Sequence, residues 1–77
     1  MRFHYYSDAD SLYIDLAERS GAESREVAPG VVLDFDDAGN LVGIDIDHAS
    51  RVVALDTLET VSLPVSSLAM HAKHDAV

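Results

Sequence analysis

From residue 3 to residue 46 the apolar side chains recur mostly at every second position, the period of a half-buried strand rather than a helix. Phe3 and Tyr5 alternate with Arg2 and His4, and Leu12, Ile14 and Leu16 with Tyr13 and Asp15. Val31, Leu33 and Phe35 alternate with Val32, Asp34 and Asp36, and Val42, Ile44 and Ile46 complete the set. Between the second and third runs, "AERSGAESREVAPG" has a turn at Ser20 and Gly21, a polar stretch from Glu23 to Val27, and a break at Pro29 and Gly30. Residues 22 to 27 therefore read as a charged strand at a sheet edge, where charge discourages pairing with foreign strands.

Paired residues of a hairpin share a face, so a one-residue slip would turn a strand's whole apolar set outward. With Ser7 to Asp10 as the first loop, Tyr5 faces Leu12, Phe3 faces Ile14, and Arg2 falls opposite Asp15 on the other face. With Asp37 to Asn40 as the second loop, Phe35 faces Val42, Leu33 faces Ile44 and Val31 faces Ile46. Both hairpins work with an even loop.

After Ile46 the period changes. Asp47 is placed to cap a short helix whose first turns bury Ala49, Val52 and Val53 against the sheet. Asp56 followed by Glu59 is a variant capping-box pattern, while "ETVSLPV" also suits an extended chain, and both readings stay open. "SSLAMHAKHDAV" has neither a cap nor alternation, and chain ends are commonly disordered unless docked. The expected architecture is α+β: a small antiparallel β-meander of four to five strands followed by a short C-terminal helix. It forms a single domain over residues 1–64, with 65–77 as a weakly ordered tail.

A chain of 77 residues buries only about 60% of its unfolded surface, so the core must be thin. Domains of this size commonly add disulfides, a metal or self-association, and the absence of cysteine removes disulfides and thiolate metal sites. A thin sheet under one helix leaves apolar area uncovered, and a symmetric homodimer or other homo-oligomer would bury it. The formal charge is −9, from fourteen acidic and five basic residues. Such a balance argues against nucleic acid as a partner, since phosphate binding needs a basic surface, and equally against an anionic membrane. Eleven of the acids lie in residues 1–47, so a basic protein would approach that part of the chain. No apolar run approaches the ~20 residues of a membrane span, and "MRFHYYSDAD" lacks a signal peptide's apolar stretch; the expected location is cytoplasmic.

"LDFDDAGNLVGID" approaches the spacing of a calcium loop, which wants oxygen ligands at positions 1, 3, 5 and 12 and glycine at 6. Counting from Asp34 puts Asp36 at position 3, Gly39 at 6 and Asp45 at 12, but Ala38 stands at 5, where an oxygen is needed. Such a loop also needs helices on both sides, and both flanks here alternate with period two. The segment is a hairpin turn, with Gly39 supplying a positive φ and Asp36, Asp37 and Asn40 serving as turn formers.

Asp34, Asp36, Asp45 and Asp47 are expected on the outer face of the last two strands, as a solvated face or a site for a hard cation. The register sets Asp34 opposite Gly43 and Val32 opposite Asp45, so no two acids directly face each other. His4 should lie across from Tyr13 with Tyr6 nearby, a mixed aromatic and charged patch of the kind found at interfaces. His48 is isolated, and His71 with His74 gives two ligands where a transition metal needs more. No glycine-flanked nucleophile, phosphate loop or dinucleotide fingerprint occurs. The chain is accordingly read as a non-enzyme without a cofactor.

Taken in order, "MRFHYYSDADSLYI" and "REVAPGVVLDFDDAGNLVGIDIDHAS" resemble a small bacterial family of unknown function, DUF2283. The resemblance rests on Tyr5, Ala9 and Asp10, Leu12 to Ile14, Pro29 to Val31, Asp36 to Gly39, Gly43 and Ile44, and Ala49 with Ser50, over roughly residues 1–53. Tyr6 and Ser7 stand where the family often has Asp-Pro. The resemblance implies a compact antiparallel meander followed by a helix and no established activity. Some relatives are similar to proteins encoded beside small toxin-like proteins, which implies an antitoxin-like binding role. Two functions follow as expectations. The first is a non-enzymatic protein-interaction module that engages a small basic protein through Asp34, Asp36, Asp45, Asp47, Tyr6, Tyr13 and His4. The second is a binder of a metal ion or small ligand at the surface aspartates.

Overall fold

The structure, a computed structural model, describes residues 1–64. It contains β1 (Arg2–Tyr6), β2 (Ser11–Asp15), β3 (Glu23–Ala28), β4 (Val31–Phe35), β5 (Leu41–Ile46) and the single-turn helix α1 (Ala49–Val52). The strands form one antiparallel sheet in the order β1-β2-β5-β4-β3. The sheet is therefore not a sequential meander. A β1–β2 hairpin is joined edge to edge with a β3–β4–β5 meander through β2 and β5, and the charged β3 lies at one outer edge, as its composition predicts.

The first hairpin has the register that alternation predicts: Arg2 opposite Asp15, Phe3 opposite Ile14, His4 opposite Tyr13 and Tyr5 opposite Leu12. Between β4 and β5, Val31 pairs with Ile46 and Leu33 with Ile44, again as expected, but Phe35 pairs with Leu41 rather than Val42. The reason is parity. Asp36 N–H donates to Asn40 O at 2.9 Å, which closes an odd loop of Asp37, Ala38 and Gly39, with Gly39 at φ +86°. An odd loop displaces the register by one residue, and a bulge next to Phe35 returns it before Leu33 meets Ile44. Val42, at the bulge, is only 2% exposed. The β3–β4 turn is Pro29–Gly30, with Gly30 at φ +78°, the Pro-Gly signature of a type II turn.

Alternation gives the sheet two unlike faces. Phe3, Tyr5, Leu12, Ile14, Val31, Leu33, Phe35, Ile44 and Ile46 share one, and α1 packs there, with Ala49 fully buried between Leu12 and Ile46 and with Ile14, Ile44 and Val53 around them. One turn of helix covers only the middle of that face, and Phe3 and Tyr5 remain 48% and 46% exposed. Val52, expected in the core, points to solvent because the chain turns extended at Val53 after a single turn. Residues 54–64 contain neither helix nor strand, so the helical turn expected to start at "LDTLET" is absent from that described stretch. The expected tail, with His71 and His74, lies outside the described residues.

Asp47 does not cap α1. The residue before the helix is His48 in the left-handed region (φ 51°), and this turns the first N–H groups of α1 away from Asp47 toward the β1–β2 loop. Asp10, itself left-handed at φ 51°, receives them. Its backbone carbonyl accepts from Ala49 N–H (2.9 Å), and its carboxylate accepts from Ser50 N–H (3.1 Å), Ser50 Oγ (2.7 Å) and Tyr5 Oη (2.7 Å). Asp47 accepts from the N–H of His48, its neighbour, while its own N–H donates to Gly30 O.

The Tyr5 hydroxyl, followed by Ser50, holds the Asp10 carboxyl below its ordinary value, and the same hydrogen bond raises the Tyr5 phenol. A depressed carboxyl stabilises the fold fully above its unfolded value, about 3.9, and loses that contribution as pH falls through the folded value. A raised phenol contributes below about 10 and loses its contribution as pH rises. Asp10→Ala is thus expected to lower the melting temperature at neutral pH and to flatten its acid decline, with Asp47→Ala close to wild type; thermal unfolding followed across pH checks both.

Candidate functional site

The face opposite α1 carries five of the sequence-predicted residues, His4, Tyr6, Tyr13, Asp34 and Asp45. Ser11, Tyr13 and Asp15 of β2, Asp45 of β5, Val32 and Asp34 of β4, Ser24 and Glu26 of β3, and Arg2, His4 and Tyr6 of β1 share it by register. Its strand charges are Asp15, Glu26, Asp34 and Asp45 against Arg2, whereas the strand charges on the apolar face are the balanced pair Glu23 and Arg25. Arg25 lies over the Phe35 ring there, 4.9 Å from its centroid. Surface charge is thus segregated by face as well as along the chain.

The centre of the polar face is a row running across four strands. Tyr13 reaches from β2 over Gly43 of β5 to donate its hydroxyl to Asp34 on β4 at 3.1 Å, and Ser24 of β3 donates to the other Asp34 oxygen at 2.7 Å. Ser11 donates to Asp45 at 3.3 Å. Burial, followed by the hydrogen bond and charge of Asp34 and then by Asp15 and Asp45, raises the Tyr13 phenol. Gly43 makes this row possible, because a Cβ there would overlap the end of the Tyr13 ring. That requirement was invisible in the sequence, although a glycine inside an alternating strand is a recognisable sign of close approach.

The four aspartates do not form one group. Asp34 and Asp45 lie on the strands as expected, but Asp36 lies in the turn, where Oδ1 accepts from the N–H groups of Ala38 (3.0 Å) and Asn40 (2.8 Å). Its Oδ2 accepts from Asn40 Nδ2 (3.3 Å) and Arg19 Nε (2.9 Å). With 11% of its side chain exposed, Asp36 is the knot of the turn rather than a free carboxylate. The Asn40 N–H, with Asn40 Nδ2, Arg19 and the Ala38 N–H, holds its carboxyl below the ordinary value. Asp47 is well exposed, 3.4 Å from His48 Nδ1. Among the described residues, no three histidine or acidic side chains converge to hold a metal ion.

His4 faces Tyr13 as expected, and Tyr6 stands more than half exposed at the end of β1. Two open hollows mark the described surface. One, of about 380 Å³, is bordered by Ser11, Glu26, Asp45 and Asp47, and the other, of about 350 Å³, by Arg2, Asp15 and Glu18. No described helix is long and apolar enough to cross a membrane.

These features define a small single-sheet antiparallel domain with one apolar face, one acidic face and a clasped helical turn. The chain belongs to the family described as "Protein of unknown function (DUF2283)", whose model matches residues 2–50. That span runs from the first residue of β1 to Ser50, the residue that Asp10 holds. No curated protein and no solved structure gave a match.

Gly43→Ala is expected to displace Tyr13 from Asp34 and to destabilise the fold by about 1–3 kcal/mol, the usual range for overpacking with loss of a hydrogen bond. Removing only the hydroxyl, in Tyr13→Phe, should cost about 0.5–1.5 kcal/mol. In a Tyr13→Ala background the ring is absent, and Gly43→Ala should then cost much less. Urea unfolding of the four proteins of this cycle measures the coupling.

Proposed function

We propose that this chain is a non-enzymatic protein-interaction module that engages a basic protein partner through its acidic sheet face. One observation carries the reading: on the strands, four carboxylates face one guanidinium on that side, while the opposite side is apolar and charge-balanced. Tyr6, Tyr13 and His4 lie on the acidic side and add amphipathic contact area. A field of one sign on one face steers a basic partner and fixes which side it meets. The antitoxin-like role implied by the resemblance is one form of this activity, with a small basic toxin as the partner.

Asp45 and Asp47 are the carboxylates to test, since Asp36 is engaged in its turn and Asp34 holds Tyr13 and Ser24. The tagged full chain, used at low salt on an extract of its native host, should retain a small basic protein in near-stoichiometric amount. Raising the salt should release it, because the Debye length is only about 8 Å at physiological ionic strength. The double variant Asp45→Asn, Asp47→Asn should retain less at every salt concentration. Retention unaffected by salt and by both substitutions would remove the acidic face from the interaction. Metal binding at the aspartates is the competing reading, and a rise in melting temperature with millimolar calcium or magnesium, reversed by chelator, would favour it.

A further inference from the structure

The two edges of the sheet are built differently. β3 has a bulge between Glu26 and Ala28, three charged side chains in six residues, and Pro29 directly after it, all devices that prevent an exposed strand from pairing with another. β1, "RFHYY", has only Arg2, at its first position, as a device of this kind: it is unbroken in its pairing with β2, contains no proline and no carboxylate, and exposes Phe3, Tyr5 and Tyr6. In a chain of net charge −9, the less defended edge is an acid-free strand.

We propose that β1 is a dimerisation edge, pairing antiparallel with β1 of a second copy about a two-fold axis at His4, so that two five-stranded sheets become one. A two-fold interface must be self-complementary, and this sequence is. Centring on His4 sets Phe3 against Tyr5 of the second copy on the apolar face, an aromatic cross-strand pair. It sets Arg2 against Tyr6 of the second copy on the polar face, where a guanidinium packs favourably on a ring. It also brings Arg2 beside the other copy's β1–β2 turn, which carries Asp8. A shift of one residue would put the two apolar faces on opposite sides, and a shift of two would shorten the overlap. The Tyr5 ring is already fixed by its bond to Asp10, so little freedom is lost there on pairing. The carboxylates of the acidic face begin on β2, one strand away from the seam.

The test uses the axis residue. Sedimentation equilibrium of the full chain across the micromolar range should give a mass approaching twice that of the 8.3 kDa chain. His4→Glu and His4→Lys each put like charges opposite each other at the axis and should weaken association several-fold; mixing the two variants should restore it as a heterodimer. Circular dichroism confirms that each variant is folded. Hydrogen exchange of the wild type provides a second readout that needs no variant: amides of residues 2–6, and not those of β3, should gain protection with protein concentration. A single-chain mass throughout, dimers of either variant as tight as wild type, or concentration-dependent protection elsewhere than β1 would overturn the proposal.

Discussion

The ladder between β2 and β5 joins two pieces of chain that could not share a core without it. β1–β2 is a local hairpin and β3–β4–β5 a local meander, and an isolated hairpin is at best marginally stable in water. Their union sets Leu12 opposite Ile46 and Ile14 opposite Ile44, four apolar side chains from segments some thirty residues apart in sequence. Ala49 then lies over Leu12 and Ile46, completely buried. Because opposed residues share a face, the same pairing that assembles the core also places Tyr13 opposite Asp45, next to Gly43 on the other side. The core and the acidic face are two products of one register, and a slip at this junction would destroy both.

A ladder alone does not fix where the chain goes after β5, and here the Asp10 clasp acts. Ala49 is small enough for the helical turn to sit close to the sheet, but one turn contributes little helix stability of its own, since nucleation is unfavourable. Asp10 offsets this by accepting both the Ala49 and Ser50 N–H groups and the Ser50 hydroxyl, while Tyr5 keeps the carboxylate aimed. Tyr5 with Asp10 and Ala49 with Ser50 are two pairs far apart in sequence, yet all four residues belong to the motifs that carry the family resemblance. The clasp gives those motifs a shared physical purpose, and the family match ends at Ser50, its last member.

Much of this sheet was legible because strand alternation is a binary signal. Parity alone fixed the partners of Phe3, Tyr5, Val31 and Leu33, since only one choice keeps every apolar side chain on one face. The Phe35 partner is not legible, because an odd loop and a compensating bulge leave the parity of the strand interior unchanged and alternation cannot reveal them. The strand order is hidden for a related reason: β2 and β5 each have one apolar neighbour in a local hairpin, and nothing in a periodic pattern states which open edges meet. Local capping points to Asp47 as the helix cap, and the left-handed His48 that redirects the helix leaves no compositional trace. On the polar face, the residues were identified but not their engagement. Asp36 is a turn former, and Asp34 is bound by Tyr13 and Ser24, because carboxylates on a small surface find donors in the chain before they find a ligand.

That engagement bears on what kind of molecule this is. General acid–base or nucleophilic chemistry depends on groups held out of bulk water with shifted ionisation. Here Asp10 and Asp36 are shifted downward by hydrogen bonds that secure the helical turn and the hairpin turn, Tyr5 is shifted upward by its bond to Asp10, and Tyr13 upward by burial and then by its bond to Asp34. Each of these four perturbations has its partners within the fold. The described strands form one sheet, and the two hollows on it open to solvent. What such a sheet presents in quantity is surface: two faces of opposite character and two edges of unequal defence. The two kinds of surface differ in charge, since the face opposite α1 carries strand carboxylates and the β1 edge carries none.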